Sequence, residues 1–461
     1  MIGRDALEQL ATRGLERSEG HPAEVCLDAF DYRLTRFSDG QVHQNLSMDG
    51  MYITARVFDG ARSGSACLSV RAPERIEEAV SRALAALRYA DVGPERPMPR
   101  PEQGYVSPDG SFVDETMLGG TDRWRAEVVQ RVVAAVEGRG PHAYGRVITE
   151  AGERLVANTG GLVSYAPRTR CDLYVTSIWD TGYGASDRHA YRTADIDPEV
   201  AASESAQTCI QARNPKPLPA SDYTVVLTPY AVADLIAFIG QLGADANAVQ
   251  EGRSFLAGKA GEPVLSPEIT IWDDGLDAAG RPTMFDAEGV KKDPVTIVRD
   301  GLAVGPVHNQ ATAAREGCRS TGHLPVFSPV TRAFSSPQPG YPALPQNLFL
   351  APGRASVADM VRATEMGLLV RGLHYTRVVE PRAVVITGMT RNGLFLIKGG
   401  EIAGPVKNLR FTDSYVRVLN GVSHVGRDAQ TCADATGDGL GAIRVPHLRV
   451  ESLRFTGTTD F

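Results

Sequence analysis

Nine histidines and six cysteines are the side chains of this sequence best suited to hold a metal ion or activate a nucleophile. A hydrolytic zinc site needs neutral nitrogen or anionic ligands held together, because the cation must lower the pKa of its bound water to near neutrality. A zinc helix supplies them as two imidazoles about one turn apart. None of His21, His43, His142, His189, His308, His323, His374, His424 and His447 stands in such a pair. Cys26, Cys67, Cys171, Cys209, Cys318 and Cys432 are widely spaced and form no CxxC pair. They read as reduced, mostly buried small hydrophobes. No Gly-x-Ser-x-Gly elbow marks a nucleophilic serine, and Gly64-Ser65 and Gly184-Ala185-Ser186 are turn material. His323, in Ser320-Thr321-Gly322-His323, and His374, in His374-Tyr375-Thr376, are polar positions at loop–strand junctions, expected to be exposed.

The scaffold around these residues mixes two periodicities. Residues 5–18 carry Leu7, Leu10, Ala11 and Leu15 as a helical stripe. A second helix starts at Pro73 with Ile76, Val80, Ala83, Leu84 and Leu87 on one face. A third is capped by Asp122 and carries Val128, Val129, Val132, Val133 and Val136. Alternating strands fill residues 25–70, and a further series is expected at 146–150, 154–158, 162–165 and 171–179. This is an α+β pattern with no evident internal repeat. Residues 214–219 hold three prolines, a stiff segment poor in sheet donors, and the domain boundary is placed there. A strand at 223–227 follows, then a helix from Pro229 to about Gln241, with Thr228 as its cap. Strands resume at 296–299 and 347–350, and Ser356 with Asp359 makes a capping-box start for a short helix.

Composition narrows the function. At 461 residues, with 43% hydrophobic and 22% charged residues, the chain reads as a two-domain globular protein. A net charge of −7 without basic runs disfavours a nucleic-acid partner. The first twenty residues lack a signal-peptide core and no stretch reaches membrane-span length, so a cytoplasmic location away from membranes is expected.

Residues 385–411, VITGMTRNGLFLIKGGEIAGPVKNLRF, read as strands 394–397 and 401–403 joined by Lys398-Gly399-Gly400, with a second polar turn at Thr390-Arg391-Asn392-Gly393. The whole phrase resembles the C-terminal domain of the TldD/PmbA (TldE) family. Three further blocks fit in order. They are Thr35-Arg36-Phe37-Ser38-Asp39-Gly40-Gln41-Val42-His43-Gln44-Asn45 followed by Met51-Tyr52-Ile53-Thr54-Ala55-Arg56-Val57, then Gly252-Arg253-Ser254-Phe255-Leu256-Ala257-Gly258-Lys259, then Ala313-Ala314-Arg315 to His323. Together they span almost the entire chain. The resemblance implies an N-terminal α+β domain, 1–213, and a β-rich metallopeptidase-like domain, 220–461.

In zinc-bearing members of that family, a His-Glu-x-x-x-His stretch opens the helix after this strand. Aligned on it, Pro229 stands at the first His, Tyr230 at the Glu and Asp234 at the second His. Proline has no ligand atom, and tyrosine is a poor base at neutral pH. Cys432 matches the family's third ligand, which leaves Asp234 and Cys432 as the only metal candidates, an incomplete set. The resemblance therefore implies a non-catalytic TldE/PmbA-type subunit of a heterodimeric zinc metallopeptidase. No cofactor is expected in this chain, and zinc is expected in a TldD-like partner. The substrates implied are unfolded peptides or amide-containing small molecules, held in extended form against sheet edges. His323, His374, Tyr375, Asn408 and Arg410 either make structural hydrogen bonds or line the substrate channel. Two other readings remain open. One is a subunit of a natural-product biosynthetic hydrolase that removes an amino-acid unit from an intermediate. The other is a homodimeric peptide-binding protein without hydrolytic activity.

Overall fold

The computed structural model describes residues 1–71, 73–93, 96–108, 112–327, 342–433 and 441–459. Its first sheet contains β1 (Ala23–Ser38), β2 (Gln41–Asp59), β3 (Arg62–Val70), β4 (His142–Asn158), β5 (Val163–Trp179) and β6 (Gly182–Ala190). These pair antiparallel in the order β3-β2-β1-β4-β5-β6. Four helices cover it: α1 (Arg4–Glu16), α2 (Ile76–Leu87), α3 (Asp122–Glu137) and α4 (Pro198–Gln211).

The order helix, three-strand meander, helix occurs twice, as α1-β1-β2-β3-α2 and α3-β4-β5-β6-α4. Sequence periodicity did not reveal this duplication. Its clearest local mark is a pair of glycines. A Cβ on Gly64 in β3 would lie 2.1 Å from the Ala83 carbonyl of α2, and one on Gly184 in β6 would lie 2.0 Å from the Ser205 carbonyl of α4. Only a residue without a side chain lets each helix pack this closely on its strand.

Two expectations for this half are corrected, and one helix is added. The strand series after α3 is two long strands, not four short ones, because 151–153 and 166–170 continue the ladder. The side chain of Asp122 does not cap α3. Thr121 is the N-cap residue, and Asp122 accepts instead from Arg125 Nη2 at 2.5 Å. Helix α4, with Asp197 capping through its side chain and Pro198 in the first turn, was not anticipated. Its buried face is Ala201, Ala202, Ser205, Ala206 and Cys209, too small and polar to register as a hydrophobic stripe.

The second sheet starts at β7 (Asp222–Leu227), which leads into α5 (Pro229–Phe238). Its strands are β8 (Ile271–Asp273), β9 (Val295–Arg299), β10 (Leu302–Ala303), β11 (Asn347–Leu350), β12 (Met366–Glu380), β13 (Val385–Lys398), β14 (Glu401–Pro405), β15 (Leu409–Ser414), β16 (Val422–Ala433) and β17 (Ala442–Thr458). Strand β17 pairs with both β15 and β7, so β7, β12, β13, β15 and β17 close into a ring. The expected Gly399–Gly400 turn joins β13 to β14 with φ values of 60° and 77°. The second expected turn, 390–393, is instead part of β13, where Asn392 and Gly393 take positive φ within one continuous strand. The proline-rich 214–219 segment is not devoid of pairing: Lys216 donates to the Pro405 carbonyl at 3.0 Å and accepts from Lys407. Ser356 caps the helix Val357–Arg362 reciprocally with Asp359, as its sequence indicates. Among the described residues no helix is long and apolar enough to cross a membrane.

Candidate functional site

Every residue of α5 except Tyr230 is buried, and Asp234 is its one charged side chain. A helix apolar on all sides belongs inside a core, and a carboxylate there must find donors. Asp234 is 1% exposed and accepts from Tyr415 Oη at 2.6 Å and from Thr376 Oγ1 at 2.9 Å. Pro229 occupies the first turn, where its missing N–H costs nothing. Thr228 is the N-cap by backbone position, but its hydroxyl donates to the Arg371 carbonyl at 2.6 Å. It therefore ties α5 to β12 and does not cap the helix with its side chain.

Tyr230 points toward the first sheet. Its hydroxyl donates to Glu204 Oε2 at 3.0 Å, and Arg188 Nη1 of β6 approaches the same hydroxyl at 3.2 Å. Glu204 also takes Arg188 Nη2 at 2.9 Å and Arg371 Nη2 at 2.7 Å. Burial raises the Glu204 carboxyl, but Arg371 and Arg188 outweigh it and hold it below its usual range. Burial, then Glu204, pushes the Tyr230 phenol far above neutrality, so it stays protonated. His447 nearby is pushed down to about 4 by burial and by Arg371, and is neutral at pH 7. Burial raises the Cys432 thiol well above its ordinary value. Glu204 was missed because α4 was missed; the Asp197-Pro198-Glu199 start would have located it.

Tyr230, Asp234 and Cys432 all line one cleft of about 610 Å³ between β1, β4, β5 and β6 on one side and α5, β12, β13 and β16 on the other. A second chamber of about 870 Å³ adjoins it, sharing Tyr183, His374, Tyr375, Arg391 and Asn392. His374 and Tyr375 sit where the β12 register slips between His374 and Arg377, and Tyr375 has φ 54°. A bulge of this kind turns side chains out of the ladder, here into the cleft. His374 Nε2 accepts from Arg391 Nη1 at 2.7 Å, and its pKa is lowered by burial, Arg391 and Arg377. Asn408 lines the second chamber and accepts from Thr390 Oγ1 at 3.1 Å.

Two expected site residues lie elsewhere. His323 is fully buried, not exposed. Its Nε2 is 2.9 Å from Asp273 and its Nδ1 is 2.9 Å from Thr321, so it works as an internal brace. Arg410 is exposed on β15 opposite Met389 and lines neither chamber.

The donor set does not fit zinc. Pro229 offers no ligand atom, the Tyr230 phenol is held protonated beside Arg188, and Asp234 is engaged by Tyr415 and Thr376. Among the described residues no three His, Cys, Asp or Glu side chains converge on a metal-sized position. The cleft can hold an extended or anionic ligand, and its one lining histidine, His374, has its basicity lowered by burial, Arg391 and Arg377.

Residues 220–457 match the family model described as the PmbA/TldA metallopeptidase C-terminal domain. The chain is similar to a protein named "Metalloprotease" from Methanothermobacter thermautotrophicus, 24% identical over 338 residues, covering 70% of this chain and 72% of that protein. It is also similar to "Metalloprotease PmbA" of Escherichia coli O157:H7, 22% identical over 97% of this chain and 96% of the other. Its fold matches the crystal structure of TldE from Thermococcus kodakarensis with a TM-score of 0.84 and 19% identity, over 98% of this chain and 100% of that one.

Proposed function

The chain belongs to the PmbA/TldD metallopeptidase family, and from that premise we propose that it is a zinc-less, TldE/PmbA-type subunit of a two-chain peptidase. In this reading, a homologous chain with an intact His-Glu-x-x-x-His helix supplies the metal and the general base. This chain supplies interface and substrate-holding surface for unfolded peptides or amide-containing small molecules.

One observation carries the reading. The position aligned with the family's glutamate is a protonated phenol tied to Glu204, and the carboxylate aligned with its second histidine is committed to Tyr415 and Thr376. Neither can swing onto a metal without leaving a buried polar partner unsatisfied. The long cleft between the two sheets, bordered by edge strand β6, supports the holding role, because an extended peptide can add its main chain to such an edge.

The test is co-expression with a zinc-motif homologue. The pair should cleave unfolded peptides, lose activity to a chelator and carry its zinc in the homologue. Chelator-resistant peptidase activity from this chain purified alone overturns the reading.

A further inference from the structure

Elsewhere in this protein buried arginines are matched with carboxylates: Arg56 with Glu24, Arg154 with Asp28 at 2.5 Å, and Arg170 with Asp172 at 2.6 Å. The cleft presents arginines without such a match, Arg36 and Arg391 exposed to whatever enters it and Arg146 half-buried. Among the described residues Arg36, Arg146 and Arg391, which all line it, have no carboxylate partner. Arg36 reaches only the Gln44 side-chain oxygen at 3.3 Å. Arg146 lies over the Tyr174 ring at 4.0 Å with its buried Nε making no hydrogen bond. Arg391 donates one N–H to His374 and is otherwise uncommitted.

The anions facing the cleft each have a neighbour of their own, although Asp187 Oδ1 makes no hydrogen bond. Asp234 is held by Tyr415 and Thr376, Asp187 faces His189 at 3.3 Å, and Asp180 of the adjoining chamber is paired with Arg213 at 2.6 Å. A cationic cleft in a chain of net charge −7 runs against the average field of the molecule. Concave, low-dielectric walls concentrate that local field on whatever enters. Guanidinium groups with free N–H donors match a carboxylate in geometry and charge. The adjoining chamber is more apolar, with Tyr183, Met389, Leu394 and Val406 in its wall.

We infer that the cleft binds a peptide through a carboxylate held by Arg146 and Arg391, with an adjacent apolar side chain in the second chamber. The inference rests on the peptide-handling reading above and specifies its substrate class. His374, kept neutral, donates or accepts beside the carboxylate without cancelling the arginines' charge.

The test is fluorescence anisotropy of the full chain with a labelled apolar pentapeptide that ends in a free carboxyl group. Its C-terminal amide and an amidated version with an internal glutamate are the comparison ligands. The acid peptide should bind at least about tenfold more tightly than the neutral amide. Arg391→Gln and Arg146→Gln should each remove that preference, so that the variant binds acid and amide with similar affinity, while Arg391→Lys should keep part of it. Recovery of binding by the internal glutamate would show that a side-chain carboxylate serves; its absence would assign the subsite to the chain end. Equal affinity for acid and amide, no binding of the acid peptide, or no effect of either glutamine substitution in a variant with an unchanged thermal melt overturns the inference. Each of those results leaves the subunit reading to stand or fall on the metal-dependent activity of the pair.

Discussion

The Tyr415 hydroxyl donates to Oδ1 of Asp234 at 2.6 Å, joining the helix after β15 to the middle of α5. Tyr415 is fully buried, stacks on Phe411 at 6.2 Å and meets Phe238 edge-on at 6.0 Å. The Asp234 carboxylate is thereby a structural acceptor.

Tyr415→Phe should keep the ring packing and strip one donor from a buried carboxylate. The expected loss is about 1–3 kcal/mol of unfolding free energy. Urea denaturation at pH 7 measures it; an unchanged midpoint would mean that Asp234 does not depend on this bond.

Removal of Glu204 should expose the repulsion between Arg188 and Arg371. Glu204→Gln is expected to cost about 2 kcal/mol at pH 7, since both guanidiniums lose their shared counter-charge in a half-buried site. The Glu204 carboxyl is held below its ordinary 4.5. Its contribution is therefore present above that value and fades as the pH drops through the lowered one. The gap between wild type and variant should narrow in acid, and urea melts at pH 7 and pH 3 would show it.

Two histidines should give opposite pH slopes. His189 is 2.8 Å from Asp172 and 3.3 Å from Asp187. Burial alone would lower its pKa, but Asp187 and Asp172 outweigh it and lift it to about 9. Its stabilisation, on the order of 3 kcal/mol, is complete below pH 6.5 and lost as the pH rises through 9. His447, lowered to about 4, contributes above pH 6.5 and loses that contribution as the pH falls toward 4. Imidazole NMR should find His189 charged at pH 7.5 and His447 neutral at pH 6. His189→Gln should flatten the alkaline limb of the stability profile.

Thiol accessibility and metal content should agree. Cys67 and Cys318 are exposed, and the other four cysteines are buried. Burial also raises the Cys432 thiol, so it is a weak nucleophile and a weak ligand. A thiol reagent should titrate two groups in the native protein and six after denaturation. Zinc in the purified chain should be well below one equivalent, and Cys432→Ser should not change it. Stoichiometric zinc lost in that variant would contradict the donor-set reading.

Strong local signals were legible where one segment satisfies itself. The Gly399–Gly400 turn, the Ser356–Asp359 capping box and the Pro229 helix start depend on neighbours within a few residues. Helix α4 was legible only in its Asp197-Pro198 start and not in its buried face, because alanine, serine and cysteine bury well only when a glycine strand such as β6 lets the helix come close. The bulges in β12 and β13 were hidden too, since 390–393 reads as a turn until flanking strands pair on both sides of it.

For the site, residue type alone decided what Pro229 and Tyr230 cannot be, because no fold gives proline a ligand atom or makes phenol a ready base at neutral pH. The α+β class and the family likewise followed from local pattern and ordered motifs. What Asp234, His323 and Glu204 are could not follow in that way. Their partners Tyr415, Asp273 and Arg371 are 181, 50 and 167 residues distant in sequence. A carboxylate or imidazole becomes a brace, a ligand or a counter-ion according to the donors and charges that folding brings within about 3 Å of it.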